Sequence, residues 1–168
     1  RNIFLEPFRK NTCPAITLSV LEALQNEEDP YLLVLASDHL IKDIRKFQTT
    51  IREGIKYADQ GRLVTFGIIP DYPETGYGYI ETNVEYLLND FKGISIKKFI
   101  EKPNREKAKE LIKDKHYLWN SGMFLFKAEM VLNELIKYKS EIVKACQESL
   151  LKSSRDFDFT RIDKQSFE

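Results

Sequence analysis

Tyr31-Leu32-Leu33-Val34-Leu35-Ala36, running into Ser37-Asp38-His39, is the stretch whose reading decides the fold class. Six apolar or aromatic residues follow one another and stop at three polar ones. The run shows no period-two alternation. It therefore reads as a strand apolar on both faces, the kind most at home inside a parallel sheet. On its N-terminal side, Asn26 to Pro30 is a polar break, and Pro14 to Gln25 reads as a helix. Pro14 suits a first helical turn and Thr12 is placed to cap it through its hydroxyl. On its C-terminal side, Ile44, Phe47, Ile51, Ile55 and Ala58 fall three or four apart, which predicts a second helix ending near Gly61. Leu63 to Ile69 then reads as another buried strand, and Ile3-Phe4-Leu5 as one near the start. Helix, strand, helix, strand is the order of a layered α/β domain with right-handed crossovers.

The middle of the chain changes character. Pro70 to Gly76 is dense in turn formers. Tyr77 to Glu81 and Ile94 to Ile100 read as strands, with Thr82 to Gly93 free to pair with either. Arg105 to Lys115 reads as a charged helix, Met123 to Phe126 as a buried strand, and Glu129 to Lys152 as helix in one or two pieces. Ser153 to Glu168 receives no assignment.

Composition narrows the function classes. A chain of 168 residues with 42% hydrophobic and 12% aromatic content builds a sizeable core and fits one domain. Lys plus Arg and Asp plus Glu are both 26, so bulk charge points to no nucleic-acid partner. No run approaches the ~18 apolar residues of a membrane span, and no signal peptide opens the chain. Two cysteines, Cys13 and Cys146, do not make a disulfide framework and fit a reduced, cytoplasmic setting.

In an open α/β sheet, ligands bind at the carboxyl ends of strands. That rule selects Asp38, the turn from Tyr72 to Gly78, Glu101-Lys102-Pro103, and Trp119-Asn120-Ser121-Gly122. Each has two readings. Asp38 at a strand tip suits Mg²⁺, or it caps the following turn or helix. His39 reads more readily as a hydrogen-bonded structural residue than as a ligand or base. Gly76-Tyr77-Gly78 lacks the spacing of a phosphate loop; its glycines let a ligand approach the backbone, or simply make a tight turn. Glu101 and Lys102 suit a polyol hydroxyl and a phosphate, or form a solvated charge pair. Asn120 and Ser121 suit a sugar, or build a turn.

Taken together and in order, these segments resemble a known family. The stretches are Glu6-Pro7 with Asn11-Thr12-Cys13-Pro14-Ala15-Ile16; Val34 to Ile41; Thr65-Phe66-Gly67-Ile68 leading to Pro73-Glu74-Thr75-Gly76-Tyr77-Gly78-Tyr79-Ile80; Phe99 to Pro103; and Leu118 to Phe124. They resemble bacterial mannose-1-phosphate guanylyltransferases, a branch of the sugar-nucleotide pyrophosphorylases, over nearly the whole chain. The Pro73 to Ile80 and Trp119 to Phe124 blocks carry the guanylyltransferase likeness; the Glu101-Lys102-Pro103 block is shared with sister enzymes.

The resemblance implies an α/β, Rossmann-like nucleotidyltransferase core with a mixed, mainly parallel sheet flanked by helices. It implies transfer of GMP from GTP to mannose 1-phosphate, giving GDP-mannose and pyrophosphate, by in-line attack with positioning and charge neutralisation carrying the rate. Asp38 is then the Mg²⁺ ligand, in a catalytic role with Lys102, which lies near the sugar phosphate. Glu6, Asn11 and Thr12 fall where the family recognises guanine. Gly76, Glu101 and Asn120 fall where it binds sugar hydroxyls, with Ser37, Tyr77, Gly78 and Ser121 in the same substrate-binding blocks. Its partners are GTP and mannose 1-phosphate.

Departures accompany the match. Ala36-Ser37 stands where the family has Pro and Ala, and Arg9-Lys10 where it has Gly and Arg. The family's Gly-rich triphosphate loop and its Ser-Ile-Asp-Tyr block have no counterpart here. Residues 1–168 are therefore expected to be the central part of one nucleotidyltransferase domain, truncated at both ends. Such a piece lacks the first strand, is inactive alone, and is marginal unless another copy, as a homo-oligomer, or the missing segment fills the open edge. A sister pyrophosphorylase making UDP- or dTDP-sugars and a non-catalytic sugar-phosphate-binding remnant are the rival readings.

Overall fold

The computed structural model describes residues 3–168. In chain order the elements are β1 (Ile3–Leu5), α1 (Thr12–Asn26), β2 (Tyr31–Val34), α2 (Ile44–Ala58), β3 (Val64–Ile68), β4 (Tyr79–Thr82), β5 (Ile96–Ile100), α3 (Arg105–Leu111), β6 (Tyr117–Lys127), α4 (Ala128–Leu151), β7 (Ser154–Asp156), β8 (Phe159–Arg161) and α5 (Lys164–Phe167). They group into two compact units. One comprises the residues up to Leu32 with Phe126–Glu168, the other Leu33–Leu125. The α/β expectation holds, with mixed sheets and flanking helices.

The first unit packs α1, α4 and α5 around Leu18, Cys146, Ile162 and Phe167, with Phe4, Phe8, Leu21, Ile142 and Leu150 against them. Helix α1 begins earlier than expected. Asn11 is its N-cap residue, at φ 63° and without a side-chain cap bond, so Thr12 lies inside the first turn and does not cap it. Helix α4 is in two pieces, broken at Lys139 (φ −147°, ψ 47°). The C-terminal stretch that lacked a sequence signal forms the antiparallel β7–β8 pair, with β1 parallel to β8, and then α5. Asp163 starts α5 by accepting the Ser166 N–H at 2.9 Å.

In the second unit, α2 lays Phe47, Ile51, Ile55 and Ala58 on Phe66, Met123 and Leu125. Asp43 caps that helix, accepting the Lys46 N–H at 3.0 Å. Helix α3, capped by Asn104, packs Ala108 and Leu111 on Tyr79 and Trp119. The larger sheet has the order β2-β6-β4-β5, with β3 also on β6. Two expectations need correction. The pairs β3–β6, β4–β5 and β4–β6 are antiparallel, so these strands do not form a mainly parallel sheet. Strands β3 to β5 are joined by turns and loops without helical crossovers, and such connections suit antiparallel neighbours. Strand β2 ends the order, and Leu35 and Ala36 fall beyond it, both exposed. An apolar run records hydrophobic surface, not the number of neighbours a strand acquires. Among the described residues no helix is long and apolar enough to cross a membrane.

Candidate active site

Strand β6 explains how the site is built. Its pairing with β3 slips between Thr65 and Gly67, where Thr65 opposes Phe124 but Gly67 opposes Asn120. Two extra residues of β6 are thus taken up in a bulge around Ser121-Gly122-Met123. Gly122, at φ +70°, supplies the left-handed residue that this bend requires. The turn-forming chemistry of Asn120-Ser121-Gly122 is real, but it is spent inside a strand. The Asn120 Oδ1 accepts the Gly122 N–H at 3.2 Å, and the Ser121 Oγ accepts the Met123 N–H at 3.2 Å. The Thr65 hydroxyl lies 3.1 Å from Asn120 Oδ1 and 2.9 Å from the Met123 carbonyl, and its single proton serves one at a time. The backbone N–H of Gly122 fixes which end of the amide is the oxygen. The Asn120 NH₂ is thereby left as a donor for another partner.

Across the β4–β6 pair, the Asn120 N–H donates to the Gly78 carbonyl at 2.8 Å. A side chain on Gly78 would stand 3.0 Å from Glu101 Oε2 and 3.7 Å from Asn120 Cβ. Gly78, Glu101 and Asn120 therefore converge on one face: bare backbone, an exposed carboxylate acceptor and an amide donor. Lys102 follows, its Nζ 3.6 Å from Glu101 Oε1, with both side chains largely in solvent. Lys102 adopts φ 40°, a left-handed conformation that costs a residue with a Cβ about 1–2 kcal/mol. Strain of this kind is held in place by surrounding structure and clusters at functional sites.

Alternation sends the neighbours the other way. Tyr79 opposes Trp119 and Ile100, on the face covered by α3. Tyr77 belongs with them, its ring edge-on to Trp119 at 5.4 Å, and Tyr72 packs on the same indole at 4.9 Å. The structure thus takes Tyr77 to an aromatic cluster rather than to the Gly78 face. The Trp119 Nε1 is buried there without a hydrogen-bond partner among the described residues. Gly76 sits in the preceding turn, its N–H donating to Glu74 Oε1 at 2.8 Å. Ser121 is occupied with shaping the bulge.

Asp38 lies in an exposed turn with Ser37, beyond the end of β2. Its helix-capping alternative fails, because Asp43 caps the next helix. Among the described residues its carboxylate has no partner, and His39 is likewise exposed and unbonded rather than held structurally. No group of three or more His, Cys, Asp and Glu is arranged to hold a metal among those residues. Mg²⁺ needs no such cage, since it takes one or two carboxylates together with phosphate oxygens and water. A free carboxylate with open space around it fits one ligand of that set.

Glu6, Asn11 and Thr12 belong to the first unit and are exposed. Partial burial raises the Glu6 carboxyl above its ordinary pKa. Asn11 holds φ 63°, which Asn tolerates better than most residues. Two cavities, of 610 Å³ at the ends of α1 and α4 and 420 Å³ beside Glu81, Lys97 and His116, contain none of the candidate residues. The convergent polar groups are the better guide, because they stand in the stretches that carry the family likeness and the cavity linings do not. Thr65, which bonds Asn120, and Glu74, which holds the turn at Gly76, draw no site reading from the sequence. Both stand in the stretches that carried the family likeness, but neither type alone signals a ligand.

The nucleotidyl transferase family model matches residues 1–165. The chain belongs to the nucleotidyl transferase family. It is 46% identical over 169 residues to the mannose-1-phosphate guanylyltransferase of Escherichia coli K12, covering 99% of this chain and 35% of that protein. It is 47% identical over 165 residues to the xanthan biosynthesis protein XanB of Xanthomonas campestris, covering 98% of this chain and 34% of that one. The chain thus spans about a third of the length of the curated relatives it matches. A crystal structure described as mannose-6-phosphate isomerase from Helicobacter pylori superposes with a TM-score of 0.81 at 39% identity, covering 98% of this chain and 62% of that chain. The expected family and α/β class are borne out.

Proposed function

We propose that this nucleotidyl transferase carries the sugar-phosphate side of a GMP transfer from GTP to mannose 1-phosphate, releasing pyrophosphate. One observation carries the reading: Gly78, Glu101 and Asn120 converge, with Lys102 beside them. An ionised carboxylate accepts two hydroxyl protons through charge-assisted bonds, and the Asn120 NH₂ donates to a third oxygen. Glycine lets the sugar ring come close to the backbone. The Lys102 ammonium offsets the charge of the sugar phosphate. One phosphate oxygen, held in line, forms a bond to the α-phosphorus of GTP while the α–β bridge breaks and pyrophosphate departs. Asp38 would hold the divalent ion, Mg²⁺, whose charge offsets that of the phosphates. Glu6, Asn11 and Thr12 are assigned to the guanine. The similarity to guanylyltransferases supports GTP over other nucleotides, and a cytoplasmic site of action suits these substrates.

The test is calorimetric titration of the chain with mannose 1-phosphate, then with GTP, UTP and dTTP in Mg²⁺, followed by an assay of pyrophosphate release. Binding of mannose 1-phosphate that Glu101→Ala removes supports the reading. Preference for UTP or dTTP would transfer the chain to a sister enzyme. Failure to bind any sugar 1-phosphate would refute the reading.

A further inference from the structure

The turn from Tyr72 to Gly78 is tied to one residue that no substrate role claims. Glu74 is engaged through its backbone N–H, its carbonyl and its carboxylate. Its N–H donates to the Tyr72 carbonyl at 3.0 Å, and its own carbonyl accepts the Tyr79 hydroxyl at 2.8 Å. Tyr79 is fully buried, so this last bond anchors the turn to the core beneath α3. The Glu74 carboxylate accepts the N–H groups of Thr75 and Gly76, both at 2.8 Å on Oε1. These bonds hold its carboxyl below the ordinary pKa, and the Tyr72 hydroxyl adds to them. Tyr72 and Tyr77 then both pack edge-on against Trp119.

We infer that Glu74 is a positioning residue for the Gly78–Glu101–Asn120 face. Its carboxylate locks the backbone between Tyr72 and Gly78, so that Gly78 lies under Glu101 before any ligand arrives. This inference rests on the sugar-phosphate reading above. Removing the lock leaves the turn to be ordered at the moment of binding. Fixing the backbone of about one residue corresponds to roughly tenfold in affinity. Gln keeps the Oε1 acceptor and most of the lock; Ala removes it.

The experiment measures mannose 1-phosphate affinity by calorimetry for the wild-type chain, Glu74→Ala, Glu74→Gln and Tyr79→Phe. Trp119, the only tryptophan in the chain, reports the turn directly through its fluorescence. Glu74→Ala is expected to lose about tenfold in affinity and to shift the Trp119 emission, while Glu74→Gln stays near the wild type in both. Tyr79→Phe, which frees the Glu74 carbonyl, is expected to fall between them. A role confined to stability would lower the unfolding temperature and leave the affinity of the folded protein unchanged, which would overturn the inference. Equal losses in the Ala and Gln variants would also overturn it. Should Glu74→Ala not fold, Gln and Phe decide by their order. A wild-type chain that binds no sugar 1-phosphate refutes the functional reading and this inference with it; a wild type that binds beside an unaffected Glu74→Ala refutes this inference alone.

Discussion

Gly78→Ala separates the fold from the site. The added Cβ would stand 3.0 Å from Glu101 Oε2, 3.7 Å from Asn120 Cβ and 3.9 Å from the Ile100 carbonyl. Only the first is too close, and it is the far end of a side chain that is 75% exposed. Glu101 can swing a few tenths of an ångström at little cost to folding. Gly78 is not in the left-handed region, so Ala fits its backbone. Ala also restricts the unfolded chain, which stabilises by about 0.4–1 kcal/mol. These terms oppose one another. The unfolding temperature should therefore stay within about 4 °C of wild type, the shift that ~1 kcal/mol produces in a chain of this size. Binding should not be spared. The displaced carboxylate forfeits a charge-assisted bond to the sugar, ~1.5–3 kcal/mol, or about 10- to 150-fold in affinity. Calorimetric titration with mannose 1-phosphate and thermal unfolding on the same preparations measure both sides. Affinity within twofold of wild type would refute the argument that Glu101 must lie over bare backbone.

Gly67→Ala makes the converse case: its Cβ would meet Leu118 Cδ1 at 2.6 Å and Leu118 Cβ at 2.9 Å. The Leu118 methyl can rotate away but the Leu118 Cβ is fixed to the backbone, so a loss of ~1–3 kcal/mol is expected in a denaturant titration, and an unmoved midpoint would show that the strands are farther apart. Lys102→Gly should have effects of opposite sign, relieving the φ of 40° and gaining about 1 kcal/mol of stability while weakening sugar-phosphate binding; a destabilised variant would argue that Lys102 is not strained. Burial pushes the Cys146 thiol from 9.0 up to about 11. The unfolded chain then releases this proton first, so the contribution is whole below pH 9.0 and lost as pH rises to about 11. The stability of wild type relative to Cys146→Ala should fall across that window, and parallel curves would dismiss the effect.

The helices were the most legible part of the chain. The spacing of Ile44, Phe47, Ile51, Ile55 and Ala58 places α2 correctly because a helix is decided locally. Sheet partners are not decided locally. The Tyr31–Ala36 run shows that a strand is apolar, but not that β2 ends the sheet order. Asn120-Ser121-Gly122 has the composition of a loop, and its capacity to bend is used within β6, where only the β3 register exposes a bulge.

The same consideration explains why the site was only partly legible. Gly76-Tyr77-Gly78-Tyr79 reads as one motif, yet successive residues of an extended chain face opposite ways. Gly78 joins Glu101 and Asn120, while Tyr77 and Tyr79 turn to Trp119 and α3. A contiguous block of sequence thus carries two duties, one exposed and chemical, the other buried and supporting. The buried half fixes the height and direction of the exposed half. Changes to Tyr72, Tyr77 or Trp119 should accordingly register at Gly78 although none of them faces it. The two duties separate only when the pairing of β4 with β5 and β6 is known, because pairing decides which face each residue meets.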